Sequence, residues 1–265
     1  MMRAFATHRF RSPLVYLVFA VLFVLVAGRA TAQVDPHWDH YKVYQVLPNP
    51  NISVAVVLRD QFGTANHLVQ TLDWFMNPVQ KQVAGVNYPI NDPLTHYTWW
   101  QITPQPFSGL VLAQNQFGLQ TLAVHDAVYL LNPALKNQQG PLPLKNHYKC
   151  YACDGQPVNV PVVLTDQFDT WQAVVTYPRW LCNPVDKYIP ATGQDYPIVD
   201  AKQHYVCYEY QQADPQPFSA VVNDQFVTNQ PLEMHPSRWI CVPTDKQGVT
   251  SVAPQTWGKL KVLYR

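Results

Sequence analysis

The sequence predicts an all-β protein made of four copies of one short antiparallel module. Three observations carry this. A set of landmarks recurs four times in the same order. The stretches between the landmarks alternate apolar and polar residues with the period of a strand. The composition is rich in Pro (24 residues) against 10 Gly, with 15 Tyr, which suits strands joined by stiff connections.

The first landmark is His-Tyr, at His40-Tyr41, His96-Tyr97, His147-Tyr148 and His204-Tyr205. The second is an acid or amide followed by Gln-Phe, beginning at Asp60, Asn115, Asp166 and Asp224. The third is the closing run Phe75-Met76-Asn77-Pro78, Leu130-Leu131-Asn132-Pro133, Leu181-Cys182-Asn183-Pro184 and Ile240-Cys241-Val242-Pro243. A lysine follows each closing run, at Lys81, Lys136, Lys187 and Lys246. The modules therefore span about 40–82, 96–137, 147–188 and 204–247. Self-similarity on this scale marks a repeat architecture.

A longer period lies above the short one. His40 is followed at nearly equal distance by His147, and His96 by His204. The linkers Tyr88-Pro89-Ile90 and Tyr196-Pro197-Ile198 match, as do Pro104-Gln105-Pro106-Phe107-Ser108 and Pro215-Gln216-Pro217-Phe218-Ser219. The expected organisation is two tandem β units, 33–140 and 141–265 with a C-terminal tail. Each would hold two modules packed as a small sandwich or barrel. A four-bladed propeller is the architectural alternative, distinguished by contact between the first and fourth modules.

Within a module, Ile52, Val54, Val56 and Leu58 alternate with more polar neighbours up to the Asp60 corner, and Val158, Val160, Val162 and Leu164 do so up to Asp166. Each set reads as a half-buried strand. Thr170 to Cys182 reads as one or two further strands, and Tyr148 to Tyr151 as a short opening strand.

Residues 1–32 have the order of an export signal. Arg3, Arg9 and Arg11 precede the apolar run Leu14–Ala27, and Ala30-Thr31-Ala32 supplies a small-residue cleavage pattern before Gln33. The run is shorter than the ~20 residues of a membrane span, and no second span follows. Removing the segment takes away four arginines and no acid, so the formal charge moves from +1 to −3. That balance offers no footprint for nucleic acid. The expected location is secreted, extracellular or periplasmic.

Aligning the modules places Cys150 and Cys207 at one position and Cys182 and Cys241 at another. The first two modules hold Val43 with Met76 and Trp99 with Leu131 at those positions. Paired presence and paired loss predict the disulfides Cys150–Cys182 and Cys207–Cys241, which an exported protein can form. Cys153 is left over. A metal set of His147, Cys150, Cys153 and Cys182 has a familiar zinc spacing, but the fourth module carries Tyr210 where a second cysteine would be needed. No metal and no cofactor are expected.

The repeated polar residues are alike in every module, which marks architecture more than a catalytic site. Asp60, Asp166 and Asp224 stand at strand-to-turn corners, where Asn115 can make the same turn bonds but cannot act as an acid or base. The lysines read as solvated surface positions, and His40, His96, His147 and His204 as hydrogen-bonded packing residues. No phosphate loop, nucleophile elbow or zinc-protease motif occurs, so no catalytic residue is assigned. The adjacent Trp99 and Trp100, which replace the usual pattern in the second module alone, are the candidate surface patch for carbohydrate or protein.

The runs His147-Tyr148-Lys149-Cys150-Tyr151, Leu164-Thr165-Asp166-Gln167-Phe168 and Leu181-Cys182-Asn183-Pro184-Val185-Asp186-Lys187 resemble a family of exported bacterial repeat domains of unknown function. The resemblance covers nearly the whole chain after residue 32 and is strongest in the third module. It implies export and placement outside the bacterial cytoplasm, with no activity to transfer. The expected role is a non-catalytic extracellular or cell-surface binding or structural protein, the alternative being a secreted hydrolase with a site between modules.

Overall fold

A computed structural model describes residues 34–210 and 217–251, the last four by backbone alone. The export-signal segment, most of the linker before the fourth module's middle strand, and the C-terminal tail lie outside the described residues. Among the described residues, fourteen strands form one antiparallel sheet, and no helix is long and apolar enough to cross a membrane.

Each module supplies an opening strand, a middle strand and a long strand of about twenty residues. The first has β1 (His40–Leu47), β2 (Asn51–Asp60), β3 (Gly63–Val83) and a short β4 (Val86–Tyr88). The second has β5 (His96–Gln105), β6 (Gly109–Asn115) and β7 (Gly118–Lys136). The third has β8 (His147–Asp154), β9 (Val160–Thr165), β10 (Thr170–Ile189) and β11 (Gln194–Tyr196). The fourth has β12 (His204–Tyr210), β13 (Phe218–Asn223) and β14 (Gln230–Ser251).

Opening and long strands alternate around a closed ring. The long strand of one module pairs with its own opening strand on one edge and with the next module's on the other, through β3–β5, β7–β8 and β10–β12. The ring closes where β14 pairs with β1. The first module thus adjoins the fourth, the contact that a ring requires and two self-contained tandem units do not. The modules are also joined edge to edge by backbone hydrogen bonds, which the separate blades of a propeller are not. Closure leaves the opening strands no unpaired edge along the ring, the usual liability of a β-sheet.

The long strands change neighbours midway, and the proline of the closing motif marks the place. β3 pairs with β5 as far as Met76 and with β9 from Gln80, with Pro78 between. Pro133, Pro184 and Pro243 lie at the same switch in β7, β10 and β14. A proline lacks the N–H that a ladder needs, so it fits where one partner strand has ended and the next has not begun. Beyond the switch each long strand reaches the diagonally opposite module: β3 meets β9, β10 meets β2, β14 meets β6 and β7 meets β13.

Alternation along the opening strands then yields buried residues on both faces. Tyr41, Tyr97, Tyr148 and Tyr205 point into the ring and contact one another in a cycle, with centroids 5.6, 5.6, 5.3 and 5.8 Å apart, edge to face. Such T-shaped contacts suit the ring quadrupoles. Next to this tetrad lie the Cys150–Cys182 and Cys207–Cys241 disulfides, as expected, between directly opposed residues of neighbouring strands. Val43 opposite Met76 and Trp99 opposite Leu131 fill the same places in the first two modules. Trp74, Tyr129, Trp180 and Trp239 pack beyond them. Two further apolar clusters lie outside the ring, under the middle strands.

Candidate functional site

The outward face of the ring is covered by the middle strands and their corners, so its polar residues are enclosed. Lys81 and Lys187 are fully buried, Lys136 is 6% exposed, and Lys246 is half-buried. This corrects their reading as solvated surface positions. The physical reason is that a polar residue facing away from the ring interior meets the corner of the next module instead of water.

Each lysine lies at a joint between modules. Lys136 Nζ donates to Asn77 Oδ1 at 2.5 Å, Lys187 Nζ to Asn132 Oδ1 at 2.8 Å, and Lys246 Nζ to Asn183 Oδ1 at 2.9 Å. In each case the asparagine comes from the closing motif of the preceding module. An aromatic ring from the following corner covers the amine: Phe168 over Lys136, Phe226 over Lys187 and Phe62 over Lys246, at 4.6, 5.0 and 4.3 Å from the centroid. The Gln beside that Phe also enters. Gln167 Nε2 and Gln61 Nε2 donate to Asn77 Oδ1 and Asn183 Oδ1 at 3.1 and 3.3 Å, while Gln225 Oε1 contacts Lys187 Nζ. Burial lowers the lysines, to about 8 for Lys136, about 7 for Lys246 and well below the usual range for Lys187.

The fourth joint differs. Val242 stands where the other closing motifs carry asparagine, and Lys81 contacts His40 Nε2 at 3.0 Å, with Gln116 Oε1 also 3.0 Å from that nitrogen. Burial alone lowers Lys81 to about 6. Among the other histidines, His96 stacks on Phe75 and His204 contacts Gln61 Nε2 at 2.8 Å; burial holds them at about 3 and about 4, uncharged at neutral pH.

The corner residues have two roles. One side-chain oxygen of Asp60, Asn115, Asp166 and Asp224 accepts the N–H of the Phe two residues on, at 3.0, 2.9, 3.0 and 2.7 Å. The other oxygen, or the amide of Asn115, faces the diagonally opposite module. Tyr151 OH and Tyr44 OH donate to Asp60 Oδ2 and Asp166 Oδ2, Trp100 Nε1 donates to Asp224 Oδ2, and Asn115 Nδ2 donates to Tyr208 OH. The residue two after each His completes the match. Lys149 pairs with Asp60 at 3.2 Å; Lys42 lies 3.8 Å from Asp166 and 2.5 Å from Asp169. Thr98 donates to Asp224, and in the fourth module, whose diagonal corner is the neutral Asn115, the same repeat position holds apolar Val206. Each buried acid thus meets a donor, and the one neutral corner, Asn115, is matched by a module with no charge at that position, its amide donating to Tyr208 and Thr244 hydroxyls, as the cost of an uncompensated buried charge requires.

Trp99 and Trp100 are both fully buried. They form no surface patch, which corrects that expectation. Trp99 fills the ring interior where later modules have a disulfide, and Trp100 replaces the tyrosine that bonds the opposite corner. Cys153 is buried and unbridged, with burial pushing its thiol up. Because Cys150 and Cys182 are bonded to each other, they cannot join it as thiolate ligands.

A cleft of about 1520 Å³ opens over β9 and β10 beside the ends of β3 and β12. Gln45, Gln82, Gln172, Glu209 and Arg238 contribute to its polar lining, with Ser237 and Tyr210 bonded to each other at its base. Glu209 is also held by Arg179 at 2.9 Å. No repeated landmark points to this cleft, because its polar residues come from unshared positions of three modules.

A family model described as a repeat of unknown function, DUF7450, matches residues 22–131 and 96–243. The chain belongs to that family. The two matches overlap in the second module, consistent with a repeat unit that can be framed on either side of it. No curated protein and no solved structure matches the chain.

Proposed function

We propose that this DUF7450 protein is a non-catalytic, exported repeat protein that offers a rigid β scaffold and binds a polar polymer, a glycan or an extended peptide, in the cleft over β9. The observation that carries this reading is the inward placement of the repeated titratable residues: they hold the joints between modules and leave the unshared, amide-rich cleft as the surface on which copies of the module differ. Export is supported by the order of charge, apolar run and small residues in 1–32. Two disulfides are compatible with an oxidising compartment.

The test is binding of the chain lacking residues 1–32 to immobilised polysaccharides and to a peptide library, with Glu209→Ala and Arg238→Ala as cleft variants. Retention by one ligand class, weakened in both variants, is the expected outcome. Release of product from the same ligands, lost in the cleft variants, would favour the hydrolase reading instead. Recovery of the chain in the cytoplasmic fraction would overturn export.

A further inference from the structure

The joints bring together more than hydrogen-bonding partners. Asn77 Nδ2 donates to Asp166 Oδ2 at 3.2 Å while its carbonyl oxygen receives Lys136 Nζ and Gln167 Nε2. Asn183 Nδ2 donates to Asp60 Oδ2 at 3.2 Å while its oxygen receives Lys246 Nζ and Gln61 Nε2. Both asparagines are at most 1% exposed. Each buried amide therefore has an amine and a carbonyl-polarising donor on one side and a carboxyl group beside its nitrogen.

We propose that these two joints close covalently, by intramolecular isopeptide bonds Asn77–Lys136 and Asn183–Lys246. Lysine Nζ attacks the asparagine Cγ, forming the new C–N bond, and the Cγ–Nδ2 bond breaks. The proton lost from Nζ passes through the neighbouring carboxyl group, Asp166 or Asp60, to Nδ2, which leaves as ammonia. The amide Gln167 or Gln61 supports the charge that builds on Oδ1. Amine plus primary amide gives secondary amide plus ammonia, so the step balances with no oxidant or cofactor.

Three further features fit. Burial leaves Lys136 at about 8 and Lys246 at about 7, so an appreciable fraction of each amine is uncharged and nucleophilic near neutral pH. The residue after each asparagine is proline, Pro78 or Pro184. With no N–H on the following residue, the backbone nitrogen cannot attack the side chain, so the usual competing loss of ammonia through a cyclic imide is closed. Finally, the joint that lacks the asparagine, at Val242, also lacks the acid, at Asn115. The two partners that such a reaction needs beside the lysine are missing together. The Asn132–Lys187 joint has the same residue types, but Gln225 contacts its amine, and Asn132 Nδ2 makes no hydrogen bond to Asp224 of the kind that Asn77 and Asn183 make to their acids.

Peptide mapping of the reduced chain lacking residues 1–32 tests this. The tryptic peptide Trp180–Lys187 should be recovered joined to the peptide carrying Lys246, and Asp60–Lys81 to the peptide carrying Lys136, each pair one ammonia lighter than its parts. Lys81 should remain unjoined. Joined peptides are required because an N-terminal Gln33 can itself cyclise with loss of ammonia, so intact mass alone is ambiguous. Lys136→Met with Lys246→Met should abolish both joined species, and Asp166→Ala should abolish the first while both disulfides still form. Recovery of the wild-type peptides wholly unjoined would overturn the proposal, whatever the variants do.

Discussion

Replacing Val206 by Lys puts an ammonium where Lys149 stands in the third module, but opposite Asn115 instead of a carboxylate. Val206 is fully buried between β10 and β14, and Asn115, the diagonal corner equivalent to Asp60, is 7% exposed. An ammonium there has no counter-charge, and an unpaired buried charge costs about 3–5 kcal/mol. For a chain of this size that lowers the melting temperature by roughly 10 °C. Adding Asn115→Asp recreates the Lys149–Asp60 pair, whose 3.2 Å separation corresponds to about 5 kcal/mol of attraction at an effective dielectric constant near 20. Most of the loss should return in the double variant. Asn115→Asp alone should also destabilise, since its carboxylate would meet no ammonium from position 206. The assay is thermal unfolding of the four proteins, read as a double-mutant cycle. A double variant no more stable than Val206→Lys would refute the argument that diagonal modules are matched in charge.

Other consequences are testable in the same way. Replacing Cys150 and Cys182 together by Ala opens a loop with a sequence separation of 32, and chemical denaturation should show a loss of roughly 3–4 kcal/mol. Lys81 stands at about 6 in the folded chain against 10.5 ordinarily, so between those values the unfolded chain binds one proton more. Its contribution to stability therefore rises with pH, by at most about 1.4 kcal/mol per unit, and changes little below about 6. Lys81→Met should flatten that rise and stabilise the protein at pH 7; melting curves from pH 6 to 9 with unchanged slope would count against it. Trp100→Phe removes the indole N–H from Asp224 and should cost about 1–3 kcal/mol, measured by denaturant titration, without altering any ligand binding.

Much of this arrangement was legible in the repeats. The corner residue, the closing proline and the cysteine pairs each occur at fixed spacing, and the period-two alternation located the middle strands. The lysines were misread because alternation tells only which way a side chain points relative to its own sheet. Lys136 points away from the ring interior, and what waits there is Phe168 and Asn77 from other modules. Trp99 and Trp100 were misread for a related reason: an unshared residue looks like a surface feature until the position it fills is known to be a disulfide site or a hydrogen-bonding site in the other copies.

By itself the sequence determined the strand class, the four-fold repetition and the pairing of cysteines, since these depend on local periodicity and on comparing one module with the next. Only the tertiary structure decided that the modules share one closed ring and that the long strands cross to the diagonal module. From that crossing comes the meeting of lysine, asparagine and aspartate from three different modules. The physical reason is range. Alternation and turn chemistry act over a few residues, whereas each joint gathers groups more than fifty residues apart, and only closure of the sheet brings them within hydrogen-bonding distance.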